Sequence, residues 1–386
     1  MNRIEISLYS QWWINLFEEI LRNIPNLKYF QYNKSFELES GKILPKFKLA
    51  YETYGQLNDA KSNVILIFHA LSGSSHVYKD SSELGGWWDE MVGPNKAFDT
   101  DKYFIICVNL LGSCYGSTGP SSINPQTRRR YCLEFPIITI HDIIKAIKLL
   151  IDHLGVKKIL TVTGGSMGGM QALDWIVSYP EMTISIIPMA TAAYATTLNI
   201  ALNEVQRQAI YSDPYWNKGN YYTGYPPNNG LRVARQIGHI TYLSEESMRE
   251  KFGRNLQYNP ELVFQFTEEF QVESYLQYKG TSFTKRFDAN SYLYITKAID
   301  YFDIRKNGDL KLTFSPLKDV KFLVISFSSD WLYPTSQSKE IVFALKSNGI
   351  EVSFVEIDIN YGHDSFLVEC EDLSELVSKF LNNLEY

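Results

Sequence analysis

The stretch VTGGSMGGMQALDW, residues 162–175, decides how the chain folds. Ser166 stands between Gly164 and Gly168, which fits G-x-S-x-G. An apolar run, Ile159 to Val162, precedes it. A helix-like pattern of Met170, Leu173, Trp175 and Ile176 follows, closed by Pro180. Strand, sharp turn and helix are the context in which this motif carries chemistry. Such a turn strains the serine backbone and lifts its hydroxyl clear of the sheet, and glycines on either side avoid a collision there. The helix that begins at the serine aims its positive end at the hydroxyl and at any oxyanion formed beside it. A glycine-rich turn with a solvated serine is the bland alternative, and the agreement of motif with flanks argues against it.

Outward from this turn the chain repeats the same theme. Val64 to Phe68 is a continuous apolar run, as in a parallel strand covered on both faces. It leads into His69-Ala70-Leu71-Ser72-Gly73, a loop at the strand end where open α/β sheets place ligands. Phe47 to Tyr54 reads as a strand entering a glycine turn, and Phe104 to Asn109 as a buried strand. The small-residue loop Leu110 to Pro120 follows. Ile137 to Leu154 has one apolar face at helical spacing. Further strands are expected at 184–189, 321–327 and 352–357, and helices at 337–346 and 372–384. From about Ala192 to Pro316 strand character fades and apolar residues recur at helical spacing.

The expected organisation is therefore α/β, a mostly parallel sheet covered by helices and carrying a helical lid insertion. Residues 29–191 and 317–386 form the core and 192–316 the lid. Residues 1–28, with Trp12, Trp13, Leu16 and Phe17, form a helical N-terminal extension.

Composition narrows the function. The 386 residues are 45% hydrophobic and carry a formal net charge of −6, so no broad basic surface is available for nucleic acid. Arg128, Arg129 and Arg130 form one local basic cluster, which reads as a solvated surface or a contact for a phosphate-bearing ligand. Cys107, Cys114, Cys132 and Cys370 include no CxxC pair, and no Cys/His group has metal-ligand spacing. Reduced thiols in the cytoplasm and a site without metal are expected. The N-terminus lacks a signal-peptide layout, and no apolar stretch is long enough to span a membrane.

A serine hydroxyl is a weak nucleophile and needs a base oriented by an acid. In this architecture the order is serine, acid, histidine, each after a strand. Asp330, in SSDWLYP, follows the run 321–327, and His363, in NYGHDSFL, follows the last strand. Each alone also reads as a turn residue; together, in order and at one sheet edge, they complete a triad with Ser166. His141 and His153 fall on the amphipathic helix, where a structural role fits better. The oxyanion hole is assigned to the backbone N–H of Met167, after the serine, and to that of Leu71.

Longer stretches resemble one family, the homoserine O-acetyltransferases of the α/β-hydrolase fold. They are HALSG (69–73), LLGSCYGSTGPSSINP (110–125), GGSMGGMQALDW (164–175), NEVQRQAIYSDPYW (203–216), GLRVARQIGHITY (230–242), VESYLQYKGTSFTKRFDANSYLYIT (272–296), SDWLYP and GHDSFL. The resemblance covers roughly residues 30–385. It implies a triad of Ser166, Asp330 and His363, with Arg235 on the α-carboxylate and Asp364 on the amino group of L-homoserine. It also implies acetyl-CoA as acyl donor, no bound cofactor, a place in methionine biosynthesis, and a homodimer built through the lid helices. The sequence departs from the family pattern at Ser113, where many members have glycine, and at Trp331, where a smaller residue is common. Succinyl transfer to homoserine, acetyl transfer to serine, and simple ester hydrolysis are the rival reactions on this scaffold.

Overall fold

A computed structural model describes residues 21, 24, 26–79 and 85–384. The helix expected within residues 1–28 lies, but for its last few positions, outside them. In chain order the strands are β1 (Lys28–Tyr32), β2 (Phe36–Glu37), β3 (Ile43–Leu44), β4 (Phe47–Tyr54), β5 (Val64–Ile67), β6 (Val92–Gly93), β7 (Phe98–Asp99), β8 (Phe104–Val108), β9 (Ile159–Gly165), β10 (Thr183–Met189), β11 (Lys321–Phe327) and β12 (Val352–Ile357). The main sheet has eight strands in the order β1-β4-β8-β5-β9-β10-β11-β12. β1, β4 and β8 are antiparallel neighbours, and all pairings from β8 to β12 are parallel.

The strands read as unbroken apolar runs because both sheet faces are covered. Along β5, Val64 and Leu66 pack into one hydrophobic cluster, Ile65 and Ile67 into the other. That alternation is the two-residue strand period. The first cluster takes in α1 (Ile140–His153) and α2 (Met167–Ser178), and the second takes in Trp88 and the C-terminal helix (Glu371–Asn382).

α1 begins three residues later than the apolar spacing predicts. Thr139 is its N-cap and forms a capping box with Asp142, so the backbone turns helical only after it. The box satisfies two amides that a start at Ile137 would leave open, and Ile137 is left 40% exposed.

Between β10 and β11 the described residues hold helices and no named strand: α3 (Thr197–Tyr211), α4 (Asn228–Tyr242), α5 (Glu245–Lys251), α6 (Gln271–Thr284), α7 (Ala289–Asp300) and α8 (Leu310–Phe314). This block joins the first cluster through Phe283, Tyr292 and Leu293. A buried carboxylate organises it. Asp288 caps α7, accepts from Tyr221 Oη at 2.6 Å and from Tyr222 Oη at 2.9 Å, and so ties the loop before α4 to the helix after α6. No described helix is long and apolar enough to cross a membrane.

Candidate active site

β9 ends at Gly165 and α2 begins at Met167, so Ser166 alone makes the turn. Its backbone sits at φ 60° and ψ −126°, where a side chain is strained. The surroundings hold it there. Ser166 N–H donates to Met189 O at 3.0 Å, and Ser166 O accepts from Thr191 Oγ1 at 2.8 Å. The flanking glycines are a steric demand of the fold. A Cβ on Gly168 would stand 2.2 Å from Phe68 O, and one on Gly164 would stand 2.5 Å from the same oxygen. The end of β5 therefore runs directly against the elbow.

His363 and Asp330 are joined. The His363 Nδ1–H donates to Asp330 Oδ2 at 2.8 Å, while Asp330 Oδ1 accepts from the amides of Leu332 and Tyr333 at 3.0 and 2.9 Å. Both residues are buried. Burial pushes the imidazole down, but the charge and hydrogen bond of Asp330, with Asp364 nearby, outweigh it, so His363 sits above its ordinary value. An acid held by two amides fixes the imidazole tautomer and leaves Nε2 for a hydroxyl proton. The His363 turn meets the elbow through Phe366, whose ring lies 2.4 Å from where a Gly165 Cβ would be. Among the described residues the Ser166 hydroxyl makes no hydrogen bond to His363. Such contacts often close only when substrate is bound.

Neither the Leu71 nor the Met167 amide donates a hydrogen bond among the described residues. Both peptide N–H groups are thus without an intramolecular acceptor, as donors to an oxyanion must be. Gln171, fully buried one turn into α2, spans the two segments that supply them. Its Nε2 donates to His69 O at 3.0 Å and to Met167 O at 3.1 Å. His69 is buried, its Nδ1 lies 2.7 Å from Ala70 O, and burial pushes it down to about 4, so it stays neutral and structural.

Arg235, on α4, donates from Nη1 to Ser72 Oγ at 3.1 Å, beside Leu71, and its guanidinium stacks over the Phe283 and Tyr242 rings at 4.6 and 5.3 Å. Asp364 follows His363 in the same turn. Burial raises its carboxyl above the usual range, against the opposing pull of His363, Arg235 and Lys279. Arg235 and Asp364 feel each other's charge yet form no ion pair. A guanidinium and a carboxyl that do not close on each other leave both groups able to meet the two ends of a zwitterion.

Two residues escaped the sequence reading. Arg286 donates from Nη1 to Ser72 O at 3.2 Å and to Tyr115 Oη at 2.9 Å, linking the Leu71 loop to the small-residue loop. Gln171 is the other. No spacing rule marks either, because each acts on residues far away in the chain. Trp331 is 40% exposed and its Nε1 donates to Leu243 O at 3.1 Å. Ser113 is fully buried, with its hydroxyl unpartnered. No group of three His, Cys, Asp or Glu side chains able to hold a metal ion occurs among the described residues.

Comparison with known proteins agrees with this fold. A family model described as alpha/beta hydrolase fold matches residues 63–369. A homoserine O-acetyltransferase of Methanohalobium evestigatum is 57% identical over 360 residues, covering 92% of this chain and 73% of that protein. The crystal structure of homoserine O-acetyltransferase from Bacillus anthracis superposes with a TM-score of 0.85 at 30% identity, covering 93% of this chain and 98% of that one. The crystal structure of esterase E22 superposes with a TM-score of 0.83, also at 30% identity, covering 92% of this chain and 99% of that one.

Proposed function

Because the chain belongs to the homoserine O-acetyltransferase family of the α/β-hydrolase fold, we propose that it transfers the acetyl group of acetyl-CoA to the hydroxyl of L-homoserine through an acetyl-serine, a step of methionine biosynthesis. His363 Nε2 takes the Ser166 hydroxyl proton as Oγ attacks the thioester carbon. The carbonyl oxygen becomes an oxyanion between the Leu71 and Met167 amides. The C–S bond breaks, the thiolate of coenzyme A receives the proton from His363, and acetyl-Ser166 remains. Homoserine then gives its hydroxyl proton to His363 and attacks the acetyl carbon. O-acetylhomoserine leaves as the proton returns to Ser166 Oγ. During this second transfer Arg235 holds the α-carboxylate and Asp364 the α-ammonium, which turns a collision into an oriented attack.

One observation supports the reading against hydrolysis: Arg235 and Asp364 lie close enough to feel each other's charge and are not paired with each other. An esterase has no use for a zwitterion clamp. The helical block between β10 and β11 acts as a lid that keeps water from the acetyl-enzyme. Two copies pair through that block, whose Val233, Ile240 and Tyr278 are 39%, 43% and 68% exposed. The four free cysteines fit a cytoplasmic protein.

The test is thiol release from acetyl-CoA with and without homoserine. Release that depends on homoserine and yields O-acetylhomoserine is expected. Release indifferent to the amino acid would assign a hydrolase, release only from succinyl-CoA a succinyltransferase, and a preference for serine a serine acetyltransferase. Light scattering in solution reads the dimer.

A further inference from the structure

The arginine run at 128–130 finds no use in the chemistry above, and the fold puts its last member in a cavity. This cavity, of about 440 Å³, opens where the start of β4 meets the loop after β8. Lys46, Lys48 and Arg130 line it together with the hydroxyl-bearing Thr118 and Ser121, and no carboxylate does. None of the three cations makes an ion pair among the described residues. In a chain of net charge −6 this is a local reversal of sign.

Two of the three cations, Arg130 and Lys48, have side-chain contacts that hold them, while Lys46 is exposed. Arg130 sits on a tight hairpin closed by Asn124 N–H to Arg129 O at 2.7 Å and Tyr131 N–H to Ser122 O at 2.9 Å. Its Nη1 donates to Ser121 O, and its guanidinium stacks 5.6 Å from the Tyr222 ring centroid. The Lys48 Nζ lies 4.7 Å from the Tyr29 ring centroid. Its backbone N–H donates to Thr118 Oγ1 at 2.9 Å, and its carbonyl accepts from Thr118 N–H at 2.9 Å, which makes one rigid wall. Tyr131, 4% exposed in the same lining, has a hydroxyl with no partner. Prepositioned cations lose little entropy when an anion arrives. Two point charges and one planar fork suit the several oxygens of a phosphate better than the two of a carboxylate.

We propose that this cavity is a phosphate-binding site. It stands at the sheet edge that also carries the elbow, because β4 begins beyond the end of β8 there. The loop that gives Thr118 to the cavity sends Tyr115 to Arg286 and so to Ser72. The phosphate comes either from the nucleotide end of the acyl carrier, a source that rests on the acetyl-CoA reading, or from a separate phosphorylated small molecule, which does not need it.

Calorimetric titration of the full chain with adenosine 3′,5′-bisphosphate and with pyrophosphate tests the site without turnover. Saturable binding is expected, weakened at least about tenfold in a Lys48→Gln/Arg130→Gln double variant of unchanged melting temperature, as lost charge-assisted hydrogen bonds require. Lys46→Gln and Lys48→Gln singly serve if the double variant does not fold. Kinetics then separate the sources. A KM raised for acetyl-CoA but not for acetyl-pantetheine, which lacks the nucleotide phosphates, assigns the carrier. Unchanged KM values for both, with phosphate binding lost, assign a free phosphorylated ligand. Absence of binding by the unsubstituted chain, binding indifferent to the substitutions, or equal rises in both KM values would overturn the proposal.

Discussion

Arg286 and Ser72 stand 214 residues apart in the chain, yet the arginine Nη1 donates to the serine carbonyl oxygen at 3.2 Å. That contact pins the residue next to Leu71 to the helical block, and the same guanidinium holds Tyr115. Arg286→Ala is expected to lower kcat/KM by roughly a hundredfold, the size of losing one well-placed oxyanion donor. Arg286→Lys, which keeps the charge but not the fork, should recover only part of it. Steady-state kinetics at fixed pH decide the matter, and full recovery by lysine would show that charge alone counts.

Gln171 holds the Leu71 loop from the other side. Gln171→Leu removes the donor from two buried carbonyls, which should destabilise the fold by about 1–3 kcal/mol. If the side chain serves only packing, kcat will survive. If it sets the Leu71 amide, kcat falls about tenfold or more while KM for homoserine, which depends on Arg235 and Asp364, stays put. Measuring both constants beside a denaturation curve separates the two.

The raised His363 value dictates the pH profile. Catalysis needs the neutral imidazole, so kcat/KM should fall toward acid with a midpoint above the ordinary 6.5. Asp364 is one of the charges that hold the value up, so Asp364→Asn should move that midpoint to lower pH, apart from any loss in the plateau. A midpoint that stays, or rises, contradicts the electrostatic account. Stability runs the other way. A histidine whose folded value exceeds its unfolded one contributes stability below the unfolded value, and loses it as pH rises through the folded value. Over that window the enzyme should gain activity while it gives up this part of its stability.

Strain at Ser166 gives a prediction that needs no substrate. Alanine at 166 removes the hydroxyl but keeps a Cβ at φ 60°, whereas glycine relaxes the turn. Both variants should be inactive in acetyl transfer. Ser166→Gly should be the more stable by about 1 kcal/mol, the lower end of what such a conformation costs. Equal melting curves would mean that the hydrogen bonds to Met189 and Thr191 leave no strain to release.

The sequence by itself determined what depends on short stretches of backbone. Continuous apolar runs marked the parallel strands. The glycine spacing marked the elbow, and the order of Ser166, Asp330 and His363 marked one edge of the sheet. Even there local chemistry moved a boundary, since the Thr139–Asp142 capping box outweighs the apolar spacing at the start of α1. Only the tertiary structure decided which distant groups meet. Arg286 at Ser72, Gln171 at His69 and Arg130 beside Lys48 follow from strand order and from how the helical block settles on the core. Such contacts leave no periodic trace in the chain, because a side chain's partner across space is set by the path of the backbone between them and not by its neighbours in sequence.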